Sequence, residues 1–113
     1  SNRRAAEHIR VKLDAIGCEM DITTAWDAPR FDFTPEEIEL LARMEHERWA
    51  EEKISEGWKY RPTKDATKKA SPYLVPWNDL PEEEKDKDRN QVRELPQFLA
   101  KTRFEIHRLK KVA

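Results

Sequence analysis

Of all the short segments in this chain, Phe33-Thr34-Pro35-Glu36-Glu37-Ile38 does most to restrict what it can fold into. Thr34 can accept a hydrogen bond from the first-turn N–H groups, Pro35 suits the first helical position, and Glu37 can reach back to the Thr34 N–H to close a capping box. Phe33 and Ile38 flank the cap as a hydrophobic staple. The helix this starts should run from Pro35 to about Ser55, because Gly57 supplies a left-handed stop. On a wheel at 100° per residue, Ile38, Leu41, Ala42, Met44 and Trp49 form its apolar arc, and Glu45 falls inside that arc. A carboxylate there needs partners, so Glu45 is expected to be buried and hydrogen-bonded, with Glu47 on the polar face. His46 borders the arc and reads as a satisfied structural histidine. Glu45, His46, Trp49 and Trp77 are therefore expected to form a structural polar core.

The rest of the chain organises around that helix. Ala5, Ala6, Ile9, Leu13 and Ile16 recur at near-helical spacing before Gly17, predicting a first helix over residues 3–16. Residues 18–33 read as an irregular connection anchored by Trp26, Phe31 and Phe33. Between Gly57 and Trp77 the chain is loop, with short extended pieces expected around Trp58–Tyr60 and Leu74–Val75. Asp79 and Glu82 suggest the start of a third helix over 82–95, which Pro96 should kink or break. Residues 98–109 either continue as helix or end in an extended piece at Phe104-Glu105-Ile106-His107. The expected fold is mainly α: three main helices with a short extended element in the loop between the second and third. Lys110 and Lys111 should fray.

An internal echo sits across this layout. Asn2-Arg3 with Ile9 and Leu13 returns 86 positions later as Asp88-Arg89 with Leu95 and Leu99. Residues 1–33 then read as a helix and connecting arm, the tail of a preceding repeat, and residues 34–113 as one complete domain.

Composition narrows the function classes. In 113 residues, 40% are charged and 37% hydrophobic, so the core must be narrow, yet the formal net charge is only −1. That balance lacks the basic excess of a general nucleic-acid binder, and no nucleic-acid partner is expected. A single cysteine, Cys18, cannot form an intramolecular disulfide and fits a reducing compartment. With no apolar run of membrane-spanning length, a cytoplasmic domain without membrane insertion is expected. Only two glycines are present, so there is no Gly-rich phosphate loop, and there is no nucleophile elbow either. His8, His46, His107 and Cys18 are not at metal-ligand spacing. No catalytic residue, metal or cofactor is assigned.

The ordered set Glu45-His46-Glu47-Arg48-Trp49, Gly57-Trp58-Lys59-Tyr60, Asp65, Leu74-Val75-Pro76-Trp77 and Asp88-Arg89 resembles the ryanodine-receptor repeat (RyR) domain over residues 38–103. The likeness is closest to prokaryotic versions, some of which sit at the end of potassium-channel or Kef-type transport proteins carrying a dinucleotide-binding domain. Arg61 stands where the family usually has glycine, and Ser71 where a histidine often precedes the proline. The resemblance implies a helical, non-enzymatic regulatory module whose partners are neighbouring domains of its parent chain. Repeats of this kind in the animal receptors are associated with adenine nucleotides. By that resemblance Trp58 and Tyr60 are candidates to stack on a base, with Arg61, Lys64 or Arg89 meeting phosphates. The alternative is a structural protein-interaction domain with no small-molecule ligand.

Overall fold

A computed structural model describes residues 2–22 and 31–109. Its order is α1 (Asn2–Ala15), β1 (Cys18–Ile22), α2 (Pro35–Ser55), β2 (Lys59–Tyr60), β3 (Ala70–Ser71), α3 (Glu82–Lys101) and β4 (Phe104–Arg108). Two 3-10 turns, Ala66–Lys68 and Trp77–Asp79, punctuate the connection between α2 and α3. The domain is mainly α, with three helices and a short strand pair between the second and third.

The helix start at Thr34 forms as the sequence dictates. Thr34 Oγ1 accepts from the Glu37 N–H at 3.2 Å, and Glu37 Oε1 accepts from the Thr34 N–H at 2.8 Å. Glu37 does a second job: the Arg108 guanidinium, at the end of β4, donates to both of its oxygens at 2.5 and 2.7 Å. That bond holds the Glu37 carboxyl down at about 2. Arg108 also lies 4.9 Å from the Phe31 ring centre, and Phe31 meets Phe33 edge-on at 5.2 Å. The other expected anchor of this region, Trp26, lies outside the described residues, as do Lys110 and Lys111. At its far end α2 stops as expected, with Gly57 at φ +93°.

One core joins all three helices and the β1–β4 pair. Leu13, Cys18, Phe33, Leu41, Ala42, Trp77, Leu80, Val92, Leu99 and Ile106 fill it, with Ile38, Met44 and Leu95 packed against it. α2 and α3 lie side by side, α1 meets the middle of α2 through Lys12 and Glu45, and β1 and β4 form an antiparallel ladder in which Cys18 faces Arg108 and Ile22 faces Phe104.

Four sequence expectations are corrected. Residues 18–22 are not an irregular connection but strand β1, whose Cys18-Glu19-Met20-Asp21-Ile22 alternation finds its partner only at the other end of the chain. The second short strand falls at Ala70–Ser71, parallel to β2, instead of Leu74–Val75. There the chain is tied by a side chain: the Val75 carbonyl oxygen lies 2.7 Å from His46 Nε2, which must donate. Asp79 does not cap α3, whose N-cap is Pro81 without a side-chain bond. Pro96 does not end α3 either. It removes one helical hydrogen bond, but Leu95 and Leu99 on either side hold the helix against the core, and burial outweighs the local cost of about 3 kcal/mol. The two readings of residues 98–109 both hold in part: helix to Lys101, then strand from Phe104.

Candidate functional site

The polar residues of the α2 apolar arc build a closed network. Glu45, 4% exposed, accepts from Arg48 Nε on both oxygens at 3.1 Å, from Arg48 Nη2 at 2.6 Å, and from Lys12 Nζ at 2.5 Å. Arg48 Nη1 reaches Glu52 at 2.8 Å. Burial opposes the Glu45 charge, yet the bonds from Arg48 and Lys12 prevail and keep its carboxyl below the usual range. His46 stacks on Trp49 at 5.8 Å and lies 6.1 Å from Trp77. Both oxygens of Glu45 are thus satisfied from within the fold. Trp77 is buried as expected, whereas Trp49 is only partly buried and lies outside the main apolar cluster.

Arg89 belongs to a second structural group. Its guanidinium binds Glu39 twice, at 2.8 and 2.9 Å, and Glu82 and Asp86 at 2.9 Å each, while lying 5.7 Å from the Trp77 ring. Its carboxylate partner on α2 is thus Glu39. Three carboxylates surround one cation, which leaves it no surplus charge for a phosphate.

The loop between α2 and α3 carries a different arrangement. Lys59, Arg61, Thr63, Lys64, Asp65 and Lys68 line an open cleft of about 680 Å³ together with Gly57 and Ala70. Arg61 donates only to the Tyr60 carbonyl, at 2.7 Å, and among the described residues Lys59, Lys64 and Lys68 make no ion pair. Asp65 is engaged elsewhere: its Oδ1 accepts from Thr67 N at 3.0 Å and Thr67 Oγ1 at 2.6 Å, capping the 3-10 turn. The neighbouring Lys69, at φ +51°, spends its ammonium on the Glu56 carbonyl at the end of α2. Such a cleft can hold an anion, since four cations face it against one occupied carboxylate.

Of the residues the sequence singled out, Arg61 and Lys64 come together in this cleft. Trp58 and Tyr60 adjoin it without lining it, and Arg89 lies apart in its own ion cluster. The reason is the period of two along an extended backbone: Lys59 and Arg61 take one side, Trp58 and Tyr60 the other. Trp58 is half-buried, with Lys53 Nζ 5.0 Å from its ring centre, and Tyr60 is half exposed. Lys59 and Lys68 complete the cleft beyond those candidates. The alternation around Tyr60 could have found Lys59, and Lys68 belongs to the same basic stretch as Lys64, brought to the cleft by the 3-10 turn after Asp65.

Among the described residues no group of three or more His, Cys, Asp or Glu is placed to hold a metal ion, and no helix is long and apolar enough to cross a membrane. The RyR domain model matches residues 34–108, from the Thr34 cap to the last residue of β4. The same segment contains the α2–α3 pair, the Glu45, Arg48 and Glu52 members of the buried network and the basic cleft, and the chain belongs to the RyR domain family.

Proposed function

We propose that this domain is a non-enzymatic regulatory module of a larger protein and that it takes an anionic ligand, with an adenine nucleotide the leading candidate, in the basic cleft between α2 and α3. The observation that carries this reading is the convergence of Lys59, Arg61, Lys64 and Lys68 on one opening without ion-pair partners among the described residues, in a chain whose net charge is only −1. Unneutralised cations around a concave surface raise the local concentration of anions and lose that effect in salt. Trp58 and Tyr60, beside the cleft, offer aromatic surface for a base once Lys53 gives way. Ligand occupancy would tighten the β2–β3 loop against the end of α2 and pass that change to neighbouring domains. A cytoplasmic setting, and attachment to a potassium-transport protein with a dinucleotide-binding domain, fit this role.

Thermal-shift titration with ATP, AMP and a cyclic nucleotide tests it, because a ligand that binds only the native state raises its melting temperature. The expected result is a rise that shrinks with added salt and is lost in Lys64→Ala and Lys68→Ala but kept in Arg89→Lys. Absence of any rise at millimolar nucleotide would leave the domain as a structural interaction module.

A further inference from the structure

Away from the basic cleft, Ala5, Ala6 and Ile9 of α1 stand across a groove from Val92, Leu95 and Phe98 of α3. The two alanines are too short to fill the space between the helices, and a volume of about 520 Å³ remains. Sites that hold small molecules run to roughly 300–1,000 Å³. Val92 is buried, whereas the Phe98 ring is 56% exposed, so the apolar wall of the groove runs from the core out to solvent.

The polar lining is of two kinds. Gln91 and Glu94 are exposed on α3, while Lys12 of α1 and Glu45 of α2 are buried. Glu45 is fully engaged, since Arg48 gives it three bonds besides the one from Lys12. Lys12 is not. It is 5% exposed, its ammonium carries three donors, and among the described residues its one partner is Glu45. Buried donors are ordinarily satisfied, so the acceptor for the remaining N–H groups comes from whatever occupies the groove. Solvent can take that place, and a ligand oxygen that reproduces the bond displaces it together with the water on the apolar walls.

The charges around that lysine fix the kind of oxygen. Lys12 and Arg48 already face Glu45 and Glu52, two cations against two carboxylates. A ligand carboxylate would bring an unmatched negative charge into a groove that also has Glu94 in its lining. An uncharged acceptor fits. We propose that the α1–α3 groove is a binding site for an uncharged, largely apolar small molecule whose carbonyl oxygen accepts from Lys12. The site is separate from the basic cleft and does not rest on an anionic ligand there.

Amide NMR titration of the whole chain with acetophenone tests it, with ethylbenzene as the same shape lacking the carbonyl and benzoate as the charged counterpart. Acetophenone should shift the Ile9, Lys12, Val92 and Leu95 amides saturably at millimolar concentration. It should bind about tenfold more tightly than ethylbenzene, the worth of one hydrogen bond from a charged donor. Benzoate should bind no better than ethylbenzene. This ranking reads the part of Lys12 without breaking its bond to Glu45. Ala6→Leu, which enlarges an exposed side chain of the lining, should remove the shifts and keep the melting temperature of the parent. No saturable shift, shifts that Ala6→Leu leaves intact, or equal binding of acetophenone and ethylbenzene would each overturn the proposal. A preference for benzoate would do the same, and so would a concentration-dependent dimer that Phe98→Glu dissolves, by making a second copy the occupant.

Discussion

Lys12 Nζ on α1 lies 2.5 Å from Glu45 Oε2 on α2, with the two side chains 6% and 5% exposed. This ion pair ties α1 to the middle of α2, beside Leu13 of α1 in the shared core. Removing one partner leaves the other charged and dry, which costs far more than the intact pair contributes. Lys12→Ala and Glu45→Ala should each destabilise by about 3–5 kcal/mol in urea unfolding, whereas Glu47→Ala, on the exposed face, should stay within about 0.5 kcal/mol. Equal midpoints for Glu45→Ala and Glu47→Ala would contradict the assignment.

Asp88 gives the domain an acid-side pH dependence of unusual sign. Burial on α3 pushes its carboxyl up to about 6 from an ordinary 3.8, with His46 of α2 working against that rise, Glu45 of α2 and Glu84 of α3 adding to it, and Lys12 of α1 again opposing it. Between those two values the folded state holds more protons than the unfolded, so stability falls as pH rises through the window. Glu37, held at about 2, contributes the opposite slope below its ordinary 4.5. Asp88→Asn should therefore melt higher than the parent above pH 6, with the difference vanishing near pH 4. A parallel pair of melting curves across that range would exclude the effect.

The tryptophans on the two sides of His46 should separate cleanly. Trp77 is buried at the junction of α2 and α3, under Lys85 and Arg89. Trp77→Ala should cost about 3–5 kcal/mol. Trp49, partly buried and stacked on one face of His46, should cost less than half as much on truncation and leave the domain folded. Circular dichroism melts of the two variants decide it.

Gly17 and Arg103 occupy equivalent turns at positive φ, and only one of them is glycine. A Cβ at Gly17 would meet no atom within 4 Å, so Gly17→Ala should cost only the backbone term of about 1 kcal/mol. Arg103→Gly should relieve the same strain and stabilise by a similar or smaller amount. Paired denaturation curves with shifts of the same sign would show that the two turns are not equivalent.

The three helices were legible in the sequence because their causes are local. Thr34 and Glu37 cap each other within one turn, Gly57 ends α2 by its own backbone freedom, and the place of Glu45 inside the apolar arc follows from 3.6 residues per turn. Arg61 and Lys64 were legible in the basic loop for the same reason: their charge is their own. Only tertiary structure decided what those pieces meet. β1 is a strand because β4 arrives beside it from the far end of the chain, and α3 runs through Pro96 because Leu95 and Leu99 are held by a core that no window of sequence contains. The same holds for Arg89, a candidate phosphate contact by resemblance, which the fold surrounds with Glu39, Glu82 and Asp86. Periodicity and capping act over a few residues and are written in the chain; pairing, burial and the neutralisation of a charge depend on groups brought together from distant positions, and exist only once it has folded.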